Sequence, residues 1–180
     1  MLKPSDTWKW YFEDESSSLM LDLGQNMLFQ TNLVRKLLVD CAIGNNEFTV
    51  DDASAFQTYK EQIQYLGLSE PRQAELTLYC VAAKRFHKPV QPKSWFFDYQ
   101  GEGYQPCEGD IISLVNENGQ GHFIVLEVGD NASLCISVDR DSFMLTSSKM
   151  LNFGDSIKVM HDRMACANHI LASNHIALVG

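Results

Sequence analysis

The sequence predicts an α+β fold, with helices and strands mixed in the front half and nearly all strand behind, and three observations carry that prediction. Two segments between Phe48 and Phe86 repeat their apolar residues at helical spacing. Beyond Pro106 the pattern changes to short apolar runs separated by turns rich in Gly, Asn and Asp. Between the two halves, Pro89, Pro92 and Pro106 with Gly101 and Gly103 forbid regular helix, as at a domain junction. The reading is an N-terminal α/β domain over residues 1–95, followed by a small, curled, β-barrel-like C-terminal domain over residues 96–180.

In chain order, the aromatic run Trp8-Lys9-Trp10-Tyr11-Phe12-Glu13 favours a strand, and Leu19-Met20-Leu21-Asp22-Leu23 is placed to pair with it as a hairpin. Alternation would bury Trp8, Trp10 and Phe12 on one face. Leu21 fits equally a structural anchor or the floor of an apolar groove. Gly24-Gln25-Asn26 makes a turn, and Met27-Leu28-Phe29 adds a short strand. Residues 31–38 are helix-compatible, with Leu33, Val34, Leu37 and Leu38 on one face and Arg35 and Lys36 outward. Phe48-Thr49-Val50 is expected to be extended. A helix capped by Asp51 or Asp52 should follow, with Ala53, Phe56, Ile63 and Leu66 inward until Gly67 ends it. Ser69 caps a second helix, with Pro71 in its first turn and Ala74, Leu78, Val81 and Ala82 inward through to about Phe86.

The prolines place Trp95, Phe96 and Phe97 in an extended segment. Strands are then expected over residues 110–115, 122–128, 133–138, 143–146, 156–160 and 176–179. Short strands at that spacing suggest a small barrel or a strongly curled sheet, because closing the sheet removes exposed edges.

Composition narrows the function. The chain has 180 residues, 45% of them apolar, which is enough for a real core. No apolar run reaches the ~18 residues of a membrane span, and the first residues lack a signal peptide's apolar segment, so a cytoplasmic chain is expected. The five cysteines include no CxxC pair and are odd in number, which excludes a disulfide framework and agrees with a reducing compartment. Net charge is -9, yet no carboxylate falls between Glu75 and Asp98, where Lys84, Arg85, Lys88 and Lys93 precede Trp95. One local basic tract on an acidic chain points to an acidic protein partner rather than to nucleic acid, which requires a broad basic face. Trp95 supports a contact role, because Trp and Arg anchor many protein interfaces. The plain alternative is that these cations only favour a helix dipole.

Catalytic and cofactor motifs are sparse. Residues 106–112 followed by Gly121-His122-Phe123-Ile124-Val125 are similar to the strand pair around the histidine of papain-like peptidases, making Cys80 or Cys107 with His122 the rival enzymatic reading. Cys80 falls inside a predicted helix, however, and neither cysteine sits in a nucleophile motif. His161, Asp162, Cys166, His169 and His175 are metal-capable, but their spacing matches no zinc signature. Phosphate-loop glycine patterns are missing, so no cofactor is expected.

The ordered tracts Trp8-Lys-Trp-Tyr, Met20-Leu-Asp-Leu, Met27-Leu-Phe, Arg35-Lys-Leu, Val50-Asp-Asp-Ala, Ala74-Glu-Leu and Lys88-Pro, with Pro92-Lys-Ser-Trp, resemble the ZapC family of Z-ring-associated cell-division proteins. Asn131-Ala-Ser-Leu-Cys, Gly154-Asp-Ser-Ile-Lys-Val-Met and Asp162-Arg163 extend the resemblance into the back half. It implies an α/β front domain and a barrel-like β domain. It also implies a non-enzymatic, cytoplasmic protein at the midcell division site that binds the tubulin-like GTPase FtsZ, bundles its filaments and lowers GTP turnover. Members are thought to use apolar pockets bordered by polar and basic residues, and Leu21, Lys88 and Lys93 stand at matching positions. The resemblance favours a monomer with two contact faces.

Overall fold

The computed structural model describes residues 2–171, and the strand expected over residues 176–179 lies outside them. The chain divides into two compact units, one of residues 1–63 and 69–89, the other of residues 64–68 and 90–180.

The first unit is a four-stranded antiparallel sheet covered by two helices. Its strands are β1 (Lys9–Glu13), β2 (Ser18–Gly24), β3 (Met27–Val34) and β4 (Asn46–Glu47), in the order β3-β2-β1-β4. Registers Trp10↔Leu21 and Leu21↔Phe29 put these three side chains in one row. Trp8 and Trp10 are buried as alternation requires, while Phe12 is half-buried. Trp10 packs on Phe86 with ring centroids 5.6 Å apart.

Helix α1 (Val50–Ile63) buries Asp52, Phe56, Tyr59 and Ile63, a stripe at helical spacing. Helix α2 (Glu70–Phe86) buries Leu76, Leu78, Cys80, Val81 and Phe86 among others, with Ser69 at its N-cap. The two pack against each other, and α2 reaches β3, where Phe29 meets Tyr79 at 5.5 Å between centroids.

Four local expectations are corrected. Residues 31–38 are not helical: β3 continues to Val34 and a single 3-10 turn, Arg35–Leu37, follows. Pairing with β2 overrides the helical spacing, because Thr31 donates its hydroxyl to the Leu19 carbonyl and the register shifts there between Gln30 and Val34. The extended residues are Asn46–Glu47, whereas Val50 already begins α1. The cap is Thr49, not Asp51 or Asp52. Thr49 Oγ1 accepts the Asp52 N–H and Asp52 Oδ2 accepts the Thr49 N–H, a reciprocal capping box. Finally, α1 ends at Ile63, four residues before the left-handed Gly67.

The second unit is built on β5 (Ile111–Asn116), β6 (Gly119–Val128), β7 (Ala132–Ser137), β8 (Phe143–Met144), β9 (Met150–Leu151), β10 (Ser156–Met160) and β11 (Ala165–Cys166). The main antiparallel sheet runs β10-β7-β6-β5-β11, and β8 pairs with β9 in a small ribbon. The sheet is curled without closing: among the described residues its edge strands β10 and β11 do not pair with each other. A flat five-stranded sheet would be about 19 Å across, but the link from Met160 to Ala165 is at most about 18 Å even when fully extended. That link also contains the 3-10 turn His161–Arg163, so the sheet must bend to bring its edges near each other. Inside the bend lie Phe97, Ile112, Leu114, Phe123, Val125, Cys135, Phe143, Ile157 and Val159. The expected extended segment at 95–97 is instead the 3-10 turn Ser94–Phe96. It is pinned to β10, since Lys93 N–H donates to the Lys158 carbonyl and Ser94 Oγ accepts the Met160 N–H.

Candidate protein-interaction surfaces

The expected site residues are distributed over both units. Lys84, Arg85, Lys88 and Leu21 belong to the first, Lys93 and Trp95 to the second.

In the first unit, α2 ends at Phe86 and the chain turns back along the segment that follows β3. His87 bridges to Leu38, Val39 N–H donates to the Phe86 carbonyl at 2.9 Å, and Lys88 N–H donates to the Leu37 carbonyl at 2.8 Å. These bonds carry Lys88 to an open groove of about 490 Å³ lined by Ser17, Val34, Arg35, Lys36, Leu38, Asp40 and Lys88. Buried Leu38 and half-buried Val34 supply its apolar part, and the exposed cations Arg35, Lys36 and Lys88 border it. Arg35 stands 3.5 Å from Asp40, an exposed pair whose energetic worth is small.

Arg85 has a different setting. Its Nη1 donates to the Glu47 carbonyl at 2.7 Å and to Asp52 Oδ2. The same buried oxygen accepts the Trp10 indole N–H at 3.1 Å. Arg85 is therefore engaged in joining α2 to β4 and to the start of α1. Lys84 is half-buried on the same helix. Leu21 is 0% exposed, a core side chain of the central sheet. The basic tract thus separates, and of its first-unit members Lys88 is the exposed one.

In the second unit, Lys93 is exposed and Trp95 is 70% exposed, a large value for the biggest apolar side chain. Trp95 leans on Phe96 at 5.4 Å, and Lys149 Nζ stands 5.9 Å from the Phe96 ring centroid. Exposed Trp95 beside half-buried Phe96, with the Lys149 ammonium nearby, suits contact with an acidic surface.

Sequence reasoning placed Arg35 and Lys36 outward and gave Lys149 no role. For Arg35 and Lys36 a signal existed, because Arg35-Lys-Leu is among the tracts that carry the resemblance. For Lys149 there was none, since it reaches Phe96 only through the β8–β9 ribbon.

The peptidase reading is not supported. Cys80 is fully buried in α2, and burial pushes its thiol above the ordinary range, away from a thiolate nucleophile. Cys107 is exposed in the loop before β5, where Gly109 N–H bonds the Val125 carbonyl, whereas His122 stands opposite Ser113. Those levels are three positions apart along β6, from Val125 to His122, about 10 Å. The His122 ring instead meets Asp139, Nδ1 to Oδ1 at 3.2 Å, and that bond raises its pKa against the opposing effect of burial. Among the described residues no group of three or more His, Cys, Asp or Glu is arranged to hold a metal ion. His175, one of the metal-capable residues, lies outside them. No helix among them is long and apolar enough to cross a membrane.

Comparison with known proteins identifies the family. The family model for the N-terminal domain of cell-division protein ZapC matches residues 1–88, and that for its C-terminal domain matches residues 89–169. The chain is 64% identical to the cell division protein ZapC of Vibrio cholerae over 179 residues, 99% of each chain. It is 63% identical to that of Vibrio vulnificus over 180 residues, the full length of both. With that of Proteus mirabilis it shares 36% identity over 167 residues, 92% of this chain and 90% of the relative. The protein belongs to the ZapC family of cell-division proteins.

Proposed function

We propose that this protein acts without catalysis in cell division, at the midcell Z-ring, by binding filaments of the tubulin-like GTPase FtsZ and promoting their lateral association. The single observation that carries the reading is the pairing of apolar groups with exposed cations on an otherwise acidic chain: half-buried Val34, over buried Leu38, with Arg35, Lys36 and Lys88 in the first unit, and exposed Trp95 with Lys93 in the second. Family membership supplies the cellular setting.

Such surfaces suit an acidic partner. The cations speed encounter and make binding sensitive to salt, while the apolar groups slow release. Lateral association requires more than one contact per molecule, and contacts that are weak singly gain avidity when repeated along a polymer. Slower GTP turnover then follows if bundled filaments exchange subunits less readily.

Light scattering and phosphate release tested together on FtsZ assembling in GTP give the readout. Addition of the protein is expected to raise scattering and slow phosphate release in the same titration. Unchanged scattering at saturating protein would rule out bundling.

A further inference from the structure

The outer edge of β3 is backbone with no strand partner among the described residues, since β3 ends the order β3-β2-β1-β4. It is eight residues long, against two for β4 at the opposite edge. Long edges of this kind are templates for another extended chain, and proteins usually blunt them with charge, proline or a bulge. β3 meets two irregularities in its pairing with β2, an extra β2 residue opposite the Met27–Leu28 step and a shift between Gln30 and Val34, and between them Leu28, Phe29 and Gln30 pair regularly. Met27-Leu28-Phe29-Gln30 contains neither charge nor proline, and Met27 and Leu28 are 54% and 56% exposed. Past the second irregularity the strand runs directly into the groove bordered by Arg35, Lys36 and Lys88.

We propose that Met27–Gln30 of β3 accepts an extended segment of an acidic protein partner as an added strand, with acidic residues farther along that segment held by Arg35, Lys36 and Lys88. Backbone bonds give such a contact its affinity, and side-chain pockets and charges give it selectivity. Arg35 lies five positions after Gln30, at most about 18 Å of extended chain, so the partner's acids fall within about five positions of its paired residues. Charge complementarity with the local cations Arg35, Lys36 and Lys88 selects an acidic segment as the occupant. The inference deepens the filament-binding reading and takes its physiological partner from it.

The test uses the full chain in two arms. In the first, fluorescence anisotropy follows a labelled synthetic peptide, a short run of alternating Val and Thr followed by a run of Glu. Two comparators carry Lys in place of Glu, or Pro within the Val-Thr run. The acidic peptide is expected to bind about tenfold more tightly than either comparator, and the joint change Arg35→Glu with Lys36→Glu should remove that preference for acid. Met27→Lys with Leu28→Lys, both on exposed positions, should weaken binding of the acidic peptide with the circular-dichroism melt unchanged. Equal binding of all three peptides, or none, overturns the proposal, as does a concentration-dependent dimer that the Lys changes at Met27 and Leu28 dissociate. In the second arm, hydrogen exchange is measured on the protein bound to FtsZ filaments. Slowed exchange within Met27–Gln30 is expected. Binding to filaments without that slowing overturns the edge contact and leaves the filament-binding reading standing, whereas failure to bind filaments removes that reading and leaves the peptide arm to decide the edge.

Discussion

Asp52 gathers three donors on one buried carboxylate oxygen: the Trp10 indole N–H, the Arg85 guanidinium and the Thr49 backbone N–H. The Arg85 side chain retains about a quarter of its surface in water, at 28% exposure, so the pair is neither a solvated surface bridge nor a fully buried one. Breaking such a pair from one side leaves the other group poorly compensated. Asp52→Asn and Arg85→Ala are each expected to cost about 2–4 kcal/mol in urea denaturation, without either side chain touching a partner. No sequence pattern joins Arg85 to Asp52, because 33 residues separate them and only the fold of α2 over β4 and α1 brings them together. Read from the sequence, Arg85 is one more cation in a basic tract. Two histidines should respond oppositely to pH. The bond to Asp139 raises the His122 pKa above its unfolded value of about 6.5, so its stabilisation is complete below that value and lost as pH rises through the folded pKa. The stability difference between the native protein and Asp139→Asn should therefore be larger near about pH 6 than near about pH 8. Burial lowers the pKa of His161, which bonds Ser133 at 2.8 Å, so its contribution is present above about pH 6.5 and lost on acidification. His161→Gln should flatten that acid-side loss in thermal melts recorded across pH.

Among the elements, α1 shows how a cap organises a helix start. Thr49 and Asp52 satisfy each other's N–H groups, and Asp52 is at the same time the acceptor for Trp10 and Arg85. Thr49→Ala should cost about 1 kcal/mol in denaturation, the usual worth of a cap. In the second unit, Gly121 of β6 faces the aromatic cluster so closely that a Cβ there would meet Phe143 at 2.7 Å and Phe123 at 3.1 Å. Gly121→Ala should lower stability by about 1–3 kcal/mol through overpacking, with the sheet retained in circular dichroism. The two helices and the principal strands were legible because enough of their apolar residues recur at helical or strand spacing between clear turn signals. Residues 31–38 were not, because Leu33, Val34, Leu37 and Leu38 fit a helical face and the pairing partner that decides the matter, β2, lies more than ten residues earlier. β9 and β11, two residues each, are too short to leave a pattern. The inward stripe of α1 was only half legible, since Asp52 and Tyr59 complete it beside Phe56 and Ile63.

At the scale of the whole molecule, exposed apolar and cationic groups are present on each of the two units, and among the described residues no group of three or more His, Cys, Asp or Glu is arranged to hold a metal ion. The basic tract was legible as composition, but its separation into core-engaged Arg85, groove-lining Lys88 and exposed Lys93 is a property of the fold. For Leu21, the structure gives the sheet core as its setting, so Leu21→Pro should lower the melting temperature of the first unit before any loss of binding can be read as a contact effect. The measurement that tests the filament-binding account most directly is co-sedimentation with FtsZ polymerised in GTP, at low and high salt, for the native protein and for the joint change Lys88→Glu with Lys93→Glu. The account predicts pelleting with filaments that weakens as salt rises and that the charge-reversed protein, with an unaltered circular-dichroism melt, loses by about tenfold or more. Pelleting equal for both proteins and indifferent to salt would contradict it.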